Sequence, residues 1–483
     1  MHIRFVYADI GTPGSPAGGV HLGVGYISAV LKQGGHKTSL QHIVKPVSKE
    51  EFLTCMEKEK PDLVCFTSTS NQFHYVKTFS TWAKELDLRI LCGGVHATLV
   101  PEEVITLPTI DFVCVGEGEY PALELANALQ NGESIENIKN IWSKKDDTII
   151  KNEIRPLISN LDELPFPDRE VFDYETLLKT NGYHADVMAG RGCPFSCTYC
   201  CNHVLRKIYD GKGKYVRIRS VGNVLEEIEE ITKKYKIKRI DFHDDVFTLF
   251  PDWVKEFCEQ YPKRFNIGFG CNARAETLNK DVVTSLKSAG CEFISIGIES
   301  GNEWLRKNVL KRYMTNEQII NAFKNAREAG IETYALNMIG LPCETPEMIE
   351  DTIKINKIVS PGSFQLSIFY PYPQTELFNL CKKNGFLTDE YRTSFLGDSI
   401  LQLPTLSKKQ IRMYYEKFEN EMLGQRVRTR YPSTLILLYN IFEIMFGPRT
   451  ASRILVKNGV PLKLLRWLKP LKKQLKNNAV NKK

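Results

Sequence analysis

A regular alternation of short apolar strands with helices is the feature of this sequence that most limits how the chain can fold. In the first 130 residues the alternation occurs five times, and four of the five strands lead into a glycine-rich or polar loop. The expected strands are Ile3 to Asp9, Thr38 to His42, Leu63 to Thr67, Arg89 to Cys92 and Phe112 to Val115. Strands separated by helices of this length predict a doubly wound parallel sheet.

A second alternation of strands and helices runs from residue 183 to about residue 375. Amphipathic helices separate its strands, so the pattern predicts a partial TIM-like barrel of six strand-helix units, (β/α)6. The expected strands are His184 to Ala189, Arg239 to His243, Asn266 to Cys271, Phe293 to Ile298, Thr333 to Ile339 and Gln365 to Phe369.

These patterns predict an α/β chain of four parts. They are a Rossmann-like domain at residues 1–140, a linker rich in proline and acidic residues at 141–182, the barrel at 183–380 and a helical, basic extension at 381–483. Ligands of such folds bind beyond the carboxyl ends of the parallel strands. The strand-end loops of the first domain contain Gly11, Ser68, Gly93, Gly94, Gly116 and Glu117.

The composition indicates an intracellular globular protein. Apolar residues make up 42% and charged residues 25% of the chain, which is ordinary for a soluble protein. The N-terminus lacks the pattern of a secretory signal, and no run of 18 apolar residues predicts a transmembrane helix. A cytoplasmic location is therefore expected, in which the 13 cysteines serve as buried thiols or metal ligands rather than disulfides.

Three of the cysteines follow the first expected barrel strand in the spacing C-x3-C-x2-C. Cys193, Cys197 and Cys200 would lie on a loop at the carboxyl-end face of the barrel. Three thiolates can hold three irons of a four-iron cluster and leave the fourth iron open to a ligand. Zinc is the alternative, with Cys201 or His203 as a fourth ligand. An extended loop would point Cys201 away from the other thiols.

The cysteine spacing, with Tyr199 just before the third cysteine, resembles the signature of the radical S-adenosylmethionine superfamily. Four further segments resemble later elements of that superfamily in the expected order. They are DFHDDVFT at 241–248, GIESG at 297–301, IGLPCET at 339–345 and YPYPQTEL at 370–377, in which Gln374 replaces the usual glycine.

The resemblance implies a 4Fe-4S cluster on Cys193, Cys197 and Cys200 that cleaves S-adenosylmethionine reductively to a 5′-deoxyadenosyl radical. It implies a one-electron donor such as flavodoxin or ferredoxin. The residues implied to bind the cofactors are Tyr199, Asp244 or Asp245 near the amino group, Arg274 at the carboxylate, Glu299 near the ribose and Gly340 near the adenine. Strand-end caps and an ion pair are the alternative roles of the acids and of Arg274.

The first domain resembles the cobalamin-binding domain that precedes the radical domain in one branch of the superfamily. The resemblance rests on GVGYISAVLKQGGH, PDLVCFTSTS, LCGGVHAT with PEE, and DFVCVGEGEYPALEL. It implies cobalamin on the strand-end loops, where small residues let a corrin lie against the backbone. The Asp-x-His-x-x-Gly motif is absent, so no histidine would bind cobalt from below. Two alternatives stay open: a domain kept for packing, and His96 either against the corrin or at the surface.

The resemblance implies a cobalamin-dependent radical enzyme that most often transfers a methyl group to an unactivated carbon of a small-molecule, lipid or natural-product substrate. A radical cyclase or oxidase, a methylthiotransferase and a non-enzymatic cobalamin or redox sensor are the alternatives. A methylthiotransferase needs three more cluster cysteines in its first domain, whereas Cys55, Cys65, Cys92 and Cys114 lie in separate elements.

The basic character of the chain lies in its C-terminal part. Residues 406–483 contain 18 lysines and arginines against 4 glutamates, so the net charge of +7 leaves −7 for the rest of the chain. The apolar segment 434–447 is too short to span a bilayer. With its basic flanks it either lies on an anionic membrane surface or packs against the barrel. Nucleic-acid binding is not expected, because aromatic platforms are missing.

Overall fold

The computed structural model describes residues 1–10, 19–145, 148–388, 398–430 and 440. Gly11 lies outside the described residues, and so does the apolar segment 434–447 apart from Asn440. No helix among the described residues is long and apolar enough to cross a membrane.

The first domain is built on a seven-stranded sheet with the order β2-β1-β3-β4-β5-β6-β7, in which the first five strands are parallel. Its strands are β1 (His2–Ala8), β2 (Lys37–Ile43), β3 (Leu63–Thr67), β4 (Arg89–Gly93), β5 (Phe112–Cys114), β6 (Ile141–Lys145) and β7 (Thr148–Lys151). Its helices are α1 (Leu22–Gln33), α2 (Lys49–Glu59), α3 (Phe73–Lys84), α4 (Gly94–Leu99), α5 (Pro101–Ile105) and α6 (Glu119–Asn131).

Strand β1 of this sheet is buried on both faces. In β1, Ile3 and Phe5 join the apolar core beneath α1 and α6, while Val6 and Ala8 join the core beneath α2 and α3. Successive side chains of a strand point to opposite faces, so this alternation places helices on both sides of the sheet. The doubly wound arrangement expected from the sequence is confirmed.

The sheet extends past residue 140, where the sequence predicts the start of a linker. Strands β6 and β7 form an antiparallel hairpin, and β6 also pairs with β5. The first sheet is therefore mixed rather than wholly parallel. The sequence does not reveal this hairpin, because its polar residues give no clear strand pattern. Polar side chains are tolerated there because the hairpin lies at the edge of the sheet.

The rest of the linker crosses between the domains with a 3-10 turn (Leu161–Glu163) and α7 (Tyr174–Thr180). Arg169 in this segment donates to Glu227 of the second domain at 2.7 Å, and both side chains are buried. This ion pair fixes the linker against the barrel.

The second domain contains six parallel strands in the order β15-β14-β13-β12-β11-β8, which is their chain order. The strands of this part are β8 (His184–Val187), β9 (Gly190–Arg191), β10 (Arg217–Ile218), β11 (Arg239–Phe242), β12 (Gly268–Ala273), β13 (Cys291–Glu299), β14 (Glu332–Ile339) and β15 (Ser363–Ile368). The helices are α8 (Asn202–Ile208), α9 (Val221–Lys234), α10 (Pro251–Arg264), α11 (Lys280–Ser288), α12 (Glu303–Asn308), α13 (Asn316–Glu328), α14 (Pro346–Val359), α15 (Glu376–Lys383) and α16 (Lys408–Arg430). Short 3-10 turns lie at Phe247–Leu249 and Ala275–Thr277.

The six strands form an open sheet, since β8 and β15 each pair with a single neighbour in it. The partial barrel predicted from the sequence is confirmed. Beyond it, Ile411 and Phe418 of α16 join an apolar cluster with residues of α14 and β15. The described part of the C-terminal extension therefore begins as a helix packed on the last barrel strand.

Candidate active site

The cysteine loop leaves β8 at the carboxyl-end face of the barrel, and Asp244 fixes its first residues. The Asp244 carboxylate accepts hydrogen bonds from the backbone N–H of Ala189 at 3.0 Å and of Gly190 at 2.6 Å. Asp244 is 5% exposed, and burial raises its pKa to about 6 despite these donors. Its two oxygens therefore hold the loop itself, rather than facing a ligand as the family resemblance implies for one of the two aspartates.

The far end of the cysteine loop is tied to later elements of the barrel. The N–H and Oγ1 of Thr198 donate to the carbonyls of Leu310 and Val309 at 3.2 and 2.6 Å. The carbonyl of Thr198 accepts from the N–H of Leu377 at 3.0 Å. Anchored at both ends, the loop holds Cys197 buried and Cys193 and Cys200 partly exposed.

Two buried arginines lie beside the sulfur of Cys197. The Nη1 atoms of Arg274 and Arg312 lie 3.6 and 3.8 Å from Cys197 Sγ. Both arginines are at least nine-tenths buried. The two guanidinium groups place positive charge beside this sulfur, which suits a neighbouring anionic group.

The backbone at Cys201 differs from the extended loop that the expected orientation of Cys201 assumed. It has a helical backbone (φ −68°, ψ −20°) because it precedes α8 directly, so the loop is not extended there. A hydrogen bond from Cys201, with those from Asn202, lowers the pKa of Cys200 to about 7. Cys201 is therefore a neighbour of the cysteine ligands and not a distant bystander.

The donor set fits an iron-sulfur cluster better than zinc. Among the described residues, no three His, Cys, Asp or Glu side chains converge on a point that one metal ion could occupy. In a cubane each cysteine binds a different iron, so the sulfurs need not converge. Nε2 of His203 accepts a hydrogen bond from the backbone N–H of Glu376 at 3.3 Å, so this nitrogen already has a partner in the chain.

A second polar group lies next to Cys197. Arg312 Nη1 donates to the Tyr199 hydroxyl at 3.1 Å and lies 3.9 Å from Glu299 Oε1. Burial raises the pKa of Glu299, although Arg312 opposes that shift. Glu299 also has φ +65°, a strained backbone that often marks a functional site.

Arg312 was missed in the sequence because nothing in the loop before α13 distinguishes it from its neighbour Lys311. Its Nε atom is buried and has no hydrogen-bond partner among the described residues. A buried unpaired donor beside a cluster loop fits an anionic group such as the carboxylate of S-adenosylmethionine.

Arg274 already binds a carboxylate of the chain. Its Nε and Nη2 donate to the two oxygens of Glu276 at 3.3 and 2.6 Å, and its guanidinium lies 3.7 Å from the ring centre of Phe195. The ion-pair alternative weighed for Arg274 therefore describes its contacts in this structure.

Gly340 has a local structural partner at the end of β14. Its N–H and that of Leu341 donate to Glu344 Oε2 at 2.6 and 3.1 Å. Glu344 is fully buried, its other oxygen has no partner among the described residues, and burial raises its pKa to about 8. Gly340 itself adopts φ +76°, which favours glycine.

A cavity of about 460 Å³ lies between the two domains, where the carboxyl ends of both sheets meet. From the first domain it is lined by Gly93, Gly94, Gly116 and Glu117, all predicted to bind cobalamin. From the second it is lined by the cysteine loop at 190–192 and 201–202 and by Asp245. Unlike Asp244, Asp245 faces this cavity.

The first-domain wall brings backbone close to the cavity. Gly94 has φ +89°, and a Cβ there would lie 2.6 Å from Thr67 Oγ1. Gly116 has φ +94°, and a Cβ there would collide with the hydroxyl of Tyr209. Ser68 is buried next to Gly94, and its Oγ has no partner among the described residues. Ser68 is not among the residues that line the cavity, whereas the glycines leave the wall free of side chains, which fits the flat corrin of cobalamin.

Two histidines of the first domain have different surroundings. His21 lines the cavity but accepts the Val24 N–H as the N-cap of α1, and burial lowers its pKa to about 4. His96 is buried rather than at the surface, with Nδ1 3.0 Å from Ser70 Oγ and its ring packed on Phe73. It does not line the cavity.

Comparison with known proteins agrees with this geometry. Residues 187–355 match the Radical SAM superfamily, and residues 16–126 match the B12 binding domain. A radical SAM domain implies a 4Fe-4S cluster and S-adenosylmethionine, and a B12-binding domain supports cobalamin. The two matched segments contain the two walls of the cavity.

Three known proteins illustrate the similarity. An uncharacterized methyltransferase of Pyrococcus horikoshii is 29% identical over 445 residues, which is 90% of this chain and 91% of the relative. The anaerobic magnesium-protoporphyrin IX monomethyl ester cyclase of Rubrivivax gelatinosus is 25% identical over 457 residues, 86% of this chain and 81% of the relative. The structure of the cobalamin-dependent S-adenosylmethionine radical enzyme OxsB with aqua-cobalamin bound has a TM-score of 0.67 at 16% identity, covering 99% of this chain and 80% of that one, and so shares the fold. The chain is a radical S-adenosylmethionine enzyme that carries a B12-binding domain.

Proposed function

We propose that this enzyme is a cobalamin-dependent methyltransferase that methylates an unactivated carbon of a small molecule. The observation that carries the proposal is the cavity that is lined both by the flanks of the cysteine loop, at 190–192 and 201–202, and by the glycines of the B12-binding domain. A reaction that uses both cofactors on one substrate needs them to meet in one space. The similarity to the Pyrococcus horikoshii methyltransferase over nearly the whole chain supports methyl transfer.

When bound, the cluster and S-adenosylmethionine supply a 5′-deoxyadenosyl radical, and cobalamin supplies the methyl group. Within this proposal Cys193, Cys197 and Cys200 hold the cluster. Arg312 is available to an anionic group through its unpaired Nε. Glu299 beside it is the predicted ribose contact, and Asp245, at the cavity wall, is the predicted contact of the amino group.

Radical cyclisation is the second candidate function. It is favoured by the similarity to the Rubrivivax gelatinosus cyclase, which spans 86% of this chain. Both reactions would start with the same cleavage of S-adenosylmethionine, so the cysteine loop does not distinguish them. The product does: methyl transfer adds a carbon to the substrate, whereas cyclisation adds none.

The test is anaerobic reconstitution with iron, sulfide and hydroxocobalamin, followed by incubation with dithionite and methyl-deuterated S-adenosylmethionine in an extract of the source cells. We expect about one cluster and one cobalamin per chain, deoxyadenosine formation, and a small molecule whose mass rises by a deuterated methyl group. A product without deuterium would favour cyclisation. No deoxyadenosine from cluster-loaded protein would contradict the proposal.

Radical SAM enzymes act on small molecules and need a reductant. We propose an acidic one-electron donor of the flavodoxin or ferredoxin type, and a lipid or natural-product substrate. Contact of the segment 434–447 with an anionic membrane is part of the same proposal, and a lipid substrate would favour it. Co-sedimentation with phosphatidylglycerol vesicles, lost on truncation after residue 430, would test that contact.

A further inference from the structure

Four charged residues join the two domains at the rim of the cavity. We name Glu117, Glu119, Arg191 and Arg217 the interdomain clamp. Arg191 donates to Glu117 Oε1 at 3.0 Å and to Glu119 Oε1 at 2.6 Å. Arg217 donates hydrogen bonds to both carboxylate oxygens of Glu117, at 2.8 and 3.1 Å. Two acids of the first domain are thus paired with two arginines of the second.

Two clamp residues directly adjoin the loop at Gly116 and the cysteine loop in the sequence. Glu117 follows Gly116 directly, and its N–H donates to the hydroxyl of Tyr209 at 2.6 Å. Arg191 precedes Cys193 by two residues and lies 5.0 Å from the ring centre of Tyr26 of the first domain. A shift of either loop would therefore change the clamp distances.

The clamp is buried enough to be selective for one geometry. The side chains of Glu119 and Arg217 are 5% and 6% exposed, and those of Glu117 and Arg191 are 16% and 17% exposed. Burial opposes ionisation of Glu117, but the two arginines more than offset it and lower its pKa. Buried charges that lose a partner are costly, so the paired arrangement is strongly preferred over neighbouring ones.

We propose that the interdomain clamp sets the separation between the first-domain loop at Gly116 and the cysteine loop at Cys193, which makes Arg191 a positioning residue. The inference rests on the proposed function, since it concerns the distance between two cofactors that share the cavity. Glu117 then acts through Arg191 and Arg217, rather than as the direct cofactor contact implied by the family resemblance.

Three variants and a matched control test the clamp. Arg191→Gln removes a charge that bridges two acids, Glu119→Gln leaves the Glu117 pairs in place, and Arg191→Lys keeps the charge without the planar fork. Arg169→Gln is the control, because its ion pair with Glu227 is also buried and joins the linker to the barrel without lining the cavity.

The first measurement is hydrogen–deuterium exchange of the chain without cofactors. For Arg191→Gln we expect about tenfold faster exchange at both 115–119 and 188–193, with a smaller rise for Glu119→Gln. The Arg169→Gln control leaves both segments unchanged. Faster exchange at 188–193 alone would overturn the proposal, because it would mean that the two loops are not coupled.

The second measurement is pulsed electron paramagnetic resonance of protein loaded with cob(II)alamin and a reduced cluster. We expect one narrow distance for the unchanged chain and for Arg169→Gln, a broad distribution for Arg191→Gln, and an intermediate one for Arg191→Lys. An equally narrow distribution in Arg191→Gln would overturn the positioning role. A chain that binds no cobalamin would contradict the proposed function, while the exchange measurement would still decide the clamp.

Discussion

The two walls of the cavity are built on different chemistry. The first-domain wall offers glycine backbone at Gly93, Gly94 and Gly116. The second-domain wall carries the two flanks of the cysteine loop, whose Cys197 lies beside two buried arginines behind that wall. The first wall therefore offers shape without side chains, whereas the cysteine loop behind the second offers positive charge.

Because the two cofactors are assigned to different walls, a substitution in one wall should remove one cofactor and leave the other bound. The largest effect on activity is expected at the cysteine loop. Cys197→Ala should abolish both the cluster absorbance near 400 nm, about the usual position of such bands, and deoxyadenosine formation. Cobalamin content should stay near that of the unchanged chain, because the first wall is intact. Metal analysis and cofactor extraction check this, with Cys381→Ala as a control for a buried cysteine elsewhere. Loss of both cofactors together would contradict separate walls.

The second largest effect is expected at the first wall. Gly94→Ala places a Cβ against Thr67 at φ +89° and should cost about 1–3 kcal/mol, with a clear drop in bound cobalamin. Gly93→Ala is the matched control, since φ −130° suits any residue and its Cβ meets an ordinary contact at 3.6 Å. Urea unfolding and cobalamin titration measure both changes. Equal behaviour of the two variants would show that the close approach at Gly94 has no role.

A smaller effect is expected from Arg312→Gln. Removing a cation beside Cys197 and Glu299 should lower deoxyadenosine formation by about 10- to 100-fold, as is typical for groups that support metal ligands. A raised KM for S-adenosylmethionine with unchanged cluster content would show that the loss of activity comes from weaker binding of S-adenosylmethionine. If the neighbouring exposed variant Tyr313→Phe gave the same loss, Arg312 would not be special.

The smallest effect on activity is expected at Glu344, away from both walls. Its folded pKa is raised from 4.5 to about 8, so the folded state holds a proton that the unfolded state releases. Stability should therefore fall as pH rises from about 4.5 and level off above about 8. Glu344→Gln should lack this decline, because a neutral amide can still accept from Gly340 and Leu341. Urea unfolding of both proteins at pH 5, 7 and 9, about the limits of that window, measures how the free energy of unfolding changes with pH. The same change in the unchanged chain and in Glu344→Gln would contradict the assignment to Glu344.

The sequence predicted the elements better than the roles of individual residues. Six barrel strands and five parallel strands of the first sheet occur where apolar runs indicated them, since burial on both faces demands such runs. The neighbours Asp244 and Asp245 could not be distinguished in the sequence, because both are aspartates in the same loop after β11. One now binds the loop backbone and the other faces the cavity.

Contacts between residues that are far apart in the chain could not be predicted from the sequence pattern. Arg312 lies 115 positions from Cys197, whose sulfur it contacts, and Arg217 lies 100 positions from Glu117. Nothing local distinguishes them from surface cations, because their neighbours are set by the fold. Cys201 was misplaced for a local reason, since the expected orientation assumed an extended loop and the backbone is already helical at Cys201.

By itself, the sequence determined the two strand-helix series, the close spacing of three cysteines and the glycines at strand ends, because local spacing and backbone freedom depend on consecutive residues. The tertiary structure alone decided that the two sets of strand ends face one cavity, which acid faces it, and which arginines are buried beside the cysteine loop. Those facts depend on how two sheets dock, and docking is fixed by contacts between residues far apart in the chain.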